Sequence, residues 1–173
     1  MPELIDPPTT LCTSFLEAVV EFHADRDYPV PWFVTDIDAV ALTDAAAFDV
    51  YITRLLGERA EIQRSVGLVP QTTLWWVDGK QMLGRLAIQH QLTPALESAG
   101  GHIGYAVRPT ARRQGHATAM LAAAIPHAAS FGITQALVTC DESNIASRRV
   151  IEANAGRYIN NTGDKRRYWV PTS

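Results

Sequence analysis

Val107-Arg108-Pro109-Thr110-Ala111-Arg112-Arg113-Gln114-Gly115-His116-Ala117 is the stretch that decides the fold. An apolar run ends at Val107, a proline-containing turn follows, and a helical pattern opens at Gly115. The first turn of a helix leaves backbone N–H groups without intrahelical partners. The helix dipole adds about half a positive charge there. Gly115 and Ala117 carry little or no side chain, so a bulky anion can approach the main chain closely. Arg112 and Arg113 add formal positive charge. Such a corner suits a phosphate or pyrophosphate. The spacing fits neither GxGxxG after a strand nor GxxxxGK[ST], which argues against dinucleotide-binding and P-loop sites. On this stretch alone, the plainer alternative is a solvated basic loop at a helix start.

Outward from it, the periodicities alternate. Residues 113–130 read as a helix with Ala117, Met120, Leu121, Ala124, Ile125 and Ala128 on one face. Gly132 is its C-terminal stop, and Pro126 is expected to kink it or end it early. Residues 133–140 are nearly continuous in apolar side chains, as in a strand buried on both faces. Residues 145–154 read as a short helix closed by Ala155-Gly156. Residues 157–161 and 166–170 are closing strands around a turn at 160–164. On the N-terminal side, residues 102–108 form a strand and residues 93–101 a turn or short helix. Residues 72–77 and 82–89 flank Asp78-Gly79, the dipeptide favoured by tight hairpins. The first third is helical. Pro7 and Pro8 precede a helix over 11–24, with Cys12, Phe15, Leu16, Val19, Val20 and His23 or Phe22 at helical spacing. Asp44 caps a second helix over 45–59, with Phe48, Tyr51, Ile52, Leu55 and Leu56 on one stripe.

The chain has 173 residues, which fits one domain with one core. Apolar residues make up 47% and charged residues 19%, so a folded globular state is the default rather than disorder. A formal net charge of -3 gives no global attraction to nucleic acid. Cys12 and Cys140 belong to no CxxC pair, which argues against a metal site or a disulfide framework. The N-terminus lacks a basic segment followed by an apolar one, and no apolar run is long enough to span a bilayer. A cytoplasmic protein without membrane contact is the expectation.

Arg112-x-x-Gly115-x-Ala117 resembles the Q/R-x-x-G-x-G/A signature of the GNAT superfamily of N-acetyltransferases. Gly100-Gly101-His102-Ile103-Gly104-Tyr105 is similar to that family's fourth strand. Asn144-Ile145-Ala146-Ser147-Arg148-Arg149-Val150-Ile151 resembles its second cofactor motif, in the N-x-x-S-x-x-V-I variant. The specific match spans residues 72–170 and points to a bacterial subgroup of predicted acetyltransferases of undefined substrate; the N-terminal helices match in order and spacing.

The resemblance implies an α/β (α+β) chain, a single domain over residues 1–173. Its mixed, mostly antiparallel central sheet would have six to seven strands, flanking helices and a V-shaped cofactor cleft between strands 4 and 5. It implies acetyl-CoA as cosubstrate and no metal. The main-chain amides of Arg113, Gln114, Gly115, His116 and Ala117 would bind the pyrophosphate, with the Thr118 hydroxyl adding to them and Arg112 beside the phosphates. Tyr105, Ala106 and Val107 would pair through main chain with the pantetheine arm. Asn144 would hydrogen-bond the pantetheine, with Ser147 as a neighbour. A capping role for Asn144 needs no ligand and is compatible with that contact.

Many relatives carry a tyrosine seven residues after the motif asparagine, where it protonates the leaving thiolate. Ile151 stands there in this chain. Tyr105, Tyr158 and Tyr168 are the substitutes, with Tyr105 the one on the fourth strand. A thiolate can also leave without a dedicated acid, because a thiol pKa is only about 8.5. His102 is the candidate base, since imidazole titrates in the right range; a structural histidine bonded to the preceding loop is its alternative. His90 and Glu97 are second choices. The expected reaction is direct transfer of an acetyl group to a primary amine of a small molecule, peptide or protein. A main-chain amide of the fourth strand would hold the oxyanion. Cys140 has no histidine placed by sequence to activate it. Asp36, Asp38, Asp44 and Asp49 would suit a cationic amine but need no such explanation. The alternative from another class is a non-catalytic acyl-CoA-binding module. Either form is compatible with a monomer or a homodimer.

Overall fold

Residues 71–78 are rich in β-branched and aromatic side chains, and Asp78-Gly79 reverses the chain. The computed structural model describes residues 1–60 and 67–173. Strands β2 (Gln71–Asp78) and β3 (Gln81–Gln89) form the expected antiparallel hairpin. Gly79 supplies its left-handed turn residue, with φ of 59°. Strand β4 (Ile103–Val107) pairs with β3, placing Arg85 opposite Ala106. A strand not anticipated, β1 (Glu3–Ile5), pairs with β2 at the other edge. Three residues ahead of Pro7-Pro8 are too few to show an alternating pattern.

The chain continues through β5 (Gln135–Asp141), β6 (Arg157–Thr162) and β7 (Lys165–Pro171), in spatial order β5-β7-β6. Among the described residues seven strands, where six to seven in one central sheet were expected, form two hydrogen-bonded sheets of four and three, with antiparallel pairing in each. The sheets are joined at the start of β4. His102 N–H donates to the Leu137 carbonyl at 2.7 Å, and Leu137 N–H donates to His102 Nδ1 at 2.8 Å. Gly101, with φ of 60°, lies so close that a Cβ there would run into the Leu137 carbonyl. Beyond this junction β4 and β5 line opposite walls of a cleft.

Helices cover both faces of the larger sheet. On one side lies α5 (His116–Ser130), which buries Met120, Leu121, Ala124 and Ala128 with Leu74, Trp76, Leu86 and Ile88. Pro126 does not end this helix, which runs to Ser130. Pro126 and Ala122 are both exposed, so water can satisfy the carbonyl that proline leaves unpaired. On the other side, α1 (Cys12–Ala24) and α3 (Ala45–Gly57) pack over Trp75, Val77 and Met82. Phe15 stacks on Trp75 with centroids 4.9 Å apart. Phe22, not His23, completes the buried stripe of α1; His23 Nε2 lies 3.0 Å from the Val34 carbonyl. Short helices α2 (Trp32–Thr35) and α4 (Pro94–Ser98) lie beside the sheets, and α6 (Ile145–Ala153) follows β5.

Candidate active site

The turn after β4 shapes the start of α5. Arg113 (φ 63°) and Gly115 (φ 83°) both adopt the left-handed conformation, and Gly115 is the N-cap with no side chain closing the helix end. The first N–H groups of α5 are thus left for a ligand, a concavity suited to an anion. A Cβ at Gly115 would meet no protein atom, so glycine serves the backbone conformation here. Arg113, Gly115, His116, Ala117 and Thr118 line a cleft of about 820 Å³. Gln114 is exposed, with its side chain turned back to the Thr110 carbonyl at 3.4 Å.

Arg112 also lines this cleft, but its charge is already matched. Nη1 pairs with Asp25 Oδ2 at 2.7 Å, Nε donates to the Val107 carbonyl at 3.2 Å, and the guanidinium sits 4.8 Å from the Tyr28 ring centroid. Arg112 is a tie between the loop after α1 and the turn after β4. Burial pushes the Asp25 carboxyl up, yet hydrogen bonds from the Asp27 amide and Arg112 outweigh it and leave the group below the usual range. His116 Nδ1 accepts from Trp76 Nε1 at 3.2 Å, so that ring is held to the sheet.

A second cleft, of about 510 Å³, opens on the far side of β4. The two share Pro31, Tyr105, Ala106, Asp141, Asn144 and Ser147. At this junction Tyr105 Oη lies 2.7 Å from Ser147 Oγ. Burial pushes the Tyr105 phenol far above the ordinary tyrosine range, more than the Ser147 hydrogen bond lowers it. Asn144 caps α6 through Oδ1, which accepts from Ser147 N–H at 3.1 Å. The cap uses the oxygen alone; Nδ2 carries two further donors, and Asn144 lines both clefts. Val107 lines the first cleft from the end of β4.

Other sequence candidates fall elsewhere. His102 lines neither cleft, and its Nδ1 lone pair receives the Leu137 N–H. Burial lowers its pKa. Accepting from Leu137, the ring bridges the start of β4 and β5. His90 pairs with Thr72 Oγ1 at 2.8 Å and stacks on Phe131, and Glu97 is exposed; neither lines a cleft. Tyr158 and Tyr168 pack against each other on the β6–β7 hairpin, and Ile151 is fully buried under α5. Asp38 and Asp44 bond local N–H groups, which accounts for them without an acceptor. Cys140 lines the second cleft, but burial pushes its thiol up, away from the reactive thiolate.

Sequence reading missed two charged residues of the second cleft, Arg85 and Asp141; Lys165 lines it as well. Lys165 Nζ forms an ion pair with Asp141 Oδ1. The signal for Arg85 was present: it is a lone charge inside the apolar run Met82-Leu83-Gly84-Arg85-Leu86-Ala87-Ile88. Among the described residues no group of His, Cys, Asp and Glu is placed to hold a metal ion, and no helix is long and apolar enough to cross a membrane.

Comparison with known proteins agrees with this architecture. Mycobacterium smegmatis RimJ, solved in complex with CoA-disulfide, superposes with a TM-score of 0.67 at 18% identity, covering 97% of this chain and 80% of that one. The ribosomal L7/L12 alpha-N-protein acetyltransferase RimL, in complex with coenzyme A, gives 0.61 at 18% identity over 97% and 92%. Campylobacter jejuni N-acetyltransferase PseH, in complex with acetyl coenzyme A, gives 0.59 at 12% identity over 100% of both chains. No curated protein matches the sequence significantly. At such identities the likeness carries the fold. The family model of the acetyltransferase (GNAT) domain matches residues 12–156, most of the length, and the chain belongs to the GNAT acetyltransferase family.

Proposed function

We propose that this protein moves an acetyl group from acetyl-CoA to an amine by direct transfer. The observation that carries the reading is the meeting of two clefts at Tyr105, Ala106, Asn144 and Ser147. One cleft ends at the open N-terminus of α5 and suits the pyrophosphate of coenzyme A. The other, walled by both sheets, suits the acceptor. CoA or acetyl-CoA in the structures of RimJ, RimL and PseH supports the first assignment.

The residues take these parts. Main-chain N–H groups from Arg113 to Ala117 hold the pyrophosphate, with the Thr118 hydroxyl beside them. The main chain of Tyr105, Ala106 and Val107 flanks the pantetheine arm, and Asn144 Nδ2 donates to it. The neutral fraction of the amine attacks the thioester carbonyl carbon. As the C–N bond forms, a β4 amide steadies the oxyanion. The nitrogen of the tetrahedral intermediate gives its proton to the Asp141 carboxylate at the junction. Collapse then breaks the C–S bond, and the sulfur leaves as thiolate.

Tyr105 assists as a hydrogen-bond donor rather than an acid. A phenol held so far up remains protonated throughout the working range, and the Ser147 hydroxyl fixes its direction. The thiolate takes its proton from water, consistent with a thiol pKa of about 8.5. The acidic limb of the pH–rate profile then follows the acceptor amine, not Tyr105 or His102.

Two measurements test the reading. Titration calorimetry with acetyl-CoA should show one site; no binding would sink it. Thiol release on adding amines should exceed hydrolysis. Binding without release across a broad amine panel would instead support a non-catalytic acyl-CoA-binding module, the form that Ile151 in place of the usual tyrosine favours.

A further inference from the structure

Arg85 is a buried cation that the fold leaves incompletely bonded. It stands in the middle of β3 and is 3% exposed. Nη2 donates to Thr73 Oγ1 at 3.1 Å. Nε and Nη1 are buried with no hydrogen-bond partner. Arg85 Cζ lies 4.2 and 5.1 Å from the ring centroids of Phe33 and Trp32. Such ring contacts favour the charge without supplying an acceptor oxygen to the N–H groups. Burial is the main influence that pushes Arg85 down, to about 10, so it remains a cation at neutral pH.

Arg108 shows what a fully bonded buried arginine looks like in this same protein. Its Nε and Nη2 both donate to Glu21 Oε1, at 2.9 and 2.6 Å, and Nη1 donates to Ser14 Oγ and the Met82 carbonyl. Among the described residues Arg85 has no comparable carboxylate. Glu58 attracts it through space but accepts a hydrogen bond from Gln71 at 3.0 Å instead. A buried charge with unmet donors is strongly destabilising unless something else meets them. Arg85 lines the second cleft, so a molecule in that cleft can do so.

We propose that the acceptor is a compact amine that also carries a carboxylate, and that Arg85 binds the carboxylate. This rests on the acetyltransferase reading and names the substrate class of the same site. The charges are arranged in order. Asp141 lines both clefts and stands at their junction, where the amine must react. Arg85 lines the second cleft alone, so it holds the opposite end of the acceptor. In the register Arg85 faces Ala106, one strand from the junction, so the span is short. Ala87 and Leu96 line the same cleft and give it an apolar wall. A carboxylate fits better than a phosphate. Among the described residues one cation of the cleft is unmatched, since Lys165 is already paired with Asp141.

The test compares the standard amino acids, β-alanine and 4-aminobutyrate, each beside its amide, by thiol release at saturating acetyl-CoA. The best carboxylated amine should exceed its amide in kcat/KM by about tenfold or more, the scale of a charge-assisted hydrogen bond. Arg85→Met should abolish that ratio through KM, and Arg85→Lys should restore part of it. Calorimetry on both variants should give the acetyl-CoA affinity of the parent protein, and their melting temperatures should not fall, which separates specificity from folding. Equal use of acid and amide, an unchanged ratio in Arg85→Met, or acetyl-CoA binding without turnover of any carboxylated member would each overturn the inference and leave the cofactor assignment standing. A preference for phosphoethanolamine over every carboxylate would overturn the carboxylate. Loss of acetyl-CoA binding by the parent protein would instead defeat the acetyltransferase reading on which the inference depends.

Discussion

The N-terminus of α5 offers main-chain N–H groups, while the floor of the second cleft offers a side chain, Arg85. The first arrangement comes from consecutive residues: Arg113 and Gly115 take left-handed conformations, and the helix that follows aims its open end. The second is assembled from β3, β4, β5, β7 and the segment around Phe33. A main-chain site tolerates almost any side chain except where backbone conformation or close approach demands glycine. A side-chain site depends on one residue type and on what surrounds it. The first arrangement is suited to a cosubstrate common to a family, the second to an acceptor that differs between its members.

Replacing Gly115 by Val tests the main-chain side most severely. A β-branched residue at φ of 83° is strained by about 1–2 kcal/mol, and its side chain would crowd the N–H groups. Acetyl-CoA affinity by calorimetry should fall about a hundredfold, with the circular dichroism spectrum retained. An affinity within about threefold of the parent would show that the cofactor lies elsewhere.

Tyr105→Phe probes the junction where the two regions meet. It removes the hydroxyl that lies beside Ser147 Oγ and keeps the ring. Turnover should drop about tenfold while KM for acetyl-CoA stays nearly constant. A large rise in that KM with turnover preserved would make Tyr105 a binding residue instead.

Asp25→Asn loosens the tie between the loop after α1 and Arg112. Acetyl-CoA affinity should weaken by a smaller factor, about three- to fivefold, because Arg112 also bonds the Val107 carbonyl. A tighter complex would mean that freeing the Arg112 charge for phosphate outweighs the lost tie.

His102→Gln carries the smallest effect, and it is on stability. Burial lowers the His102 pKa below the ordinary 6.5. As pH falls below about 6.5, the unfolded chain binds a proton that the folded one does not, so stability declines toward the lower folded pKa. Glutamine removes that titration. The acid side of the melting-temperature profile should flatten, while the pH dependence of turnover keeps its shape. A changed rate profile would return His102 to the chemistry.

What could be read in advance follows the same division. Asp78-Gly79, Gly115 and Asn144 act over a few residues, so hairpin, helix start and cap were visible locally. Pro126 misled because a helix can carry proline on its solvent side, and exposure is a property of packing. For His102, imidazole is equally apt as a base and as a hydrogen-bond partner, and the approach of Leu137, 35 residues away, could not be read locally. Strand β1 was invisible because three residues gain strand character only from the partner they pair with.

The sequence by itself determined the order of elements, the left-handed turn and open helix start after β4, the asparagine cap of α6, and the motifs that resemble the family's. Each rests on backbone conformation set by neighbours in the chain. Tertiary structure alone decided which charges are already matched. Arg112, Arg108 and Arg85 are the same residue type, yet one is tied to Asp25, one to Glu21, and the third bonds no carboxylate among the described residues. Whether a buried guanidinium is a strut or a binding group depends on the partners that folding brings within hydrogen-bond reach, and those come from distant parts of the chain.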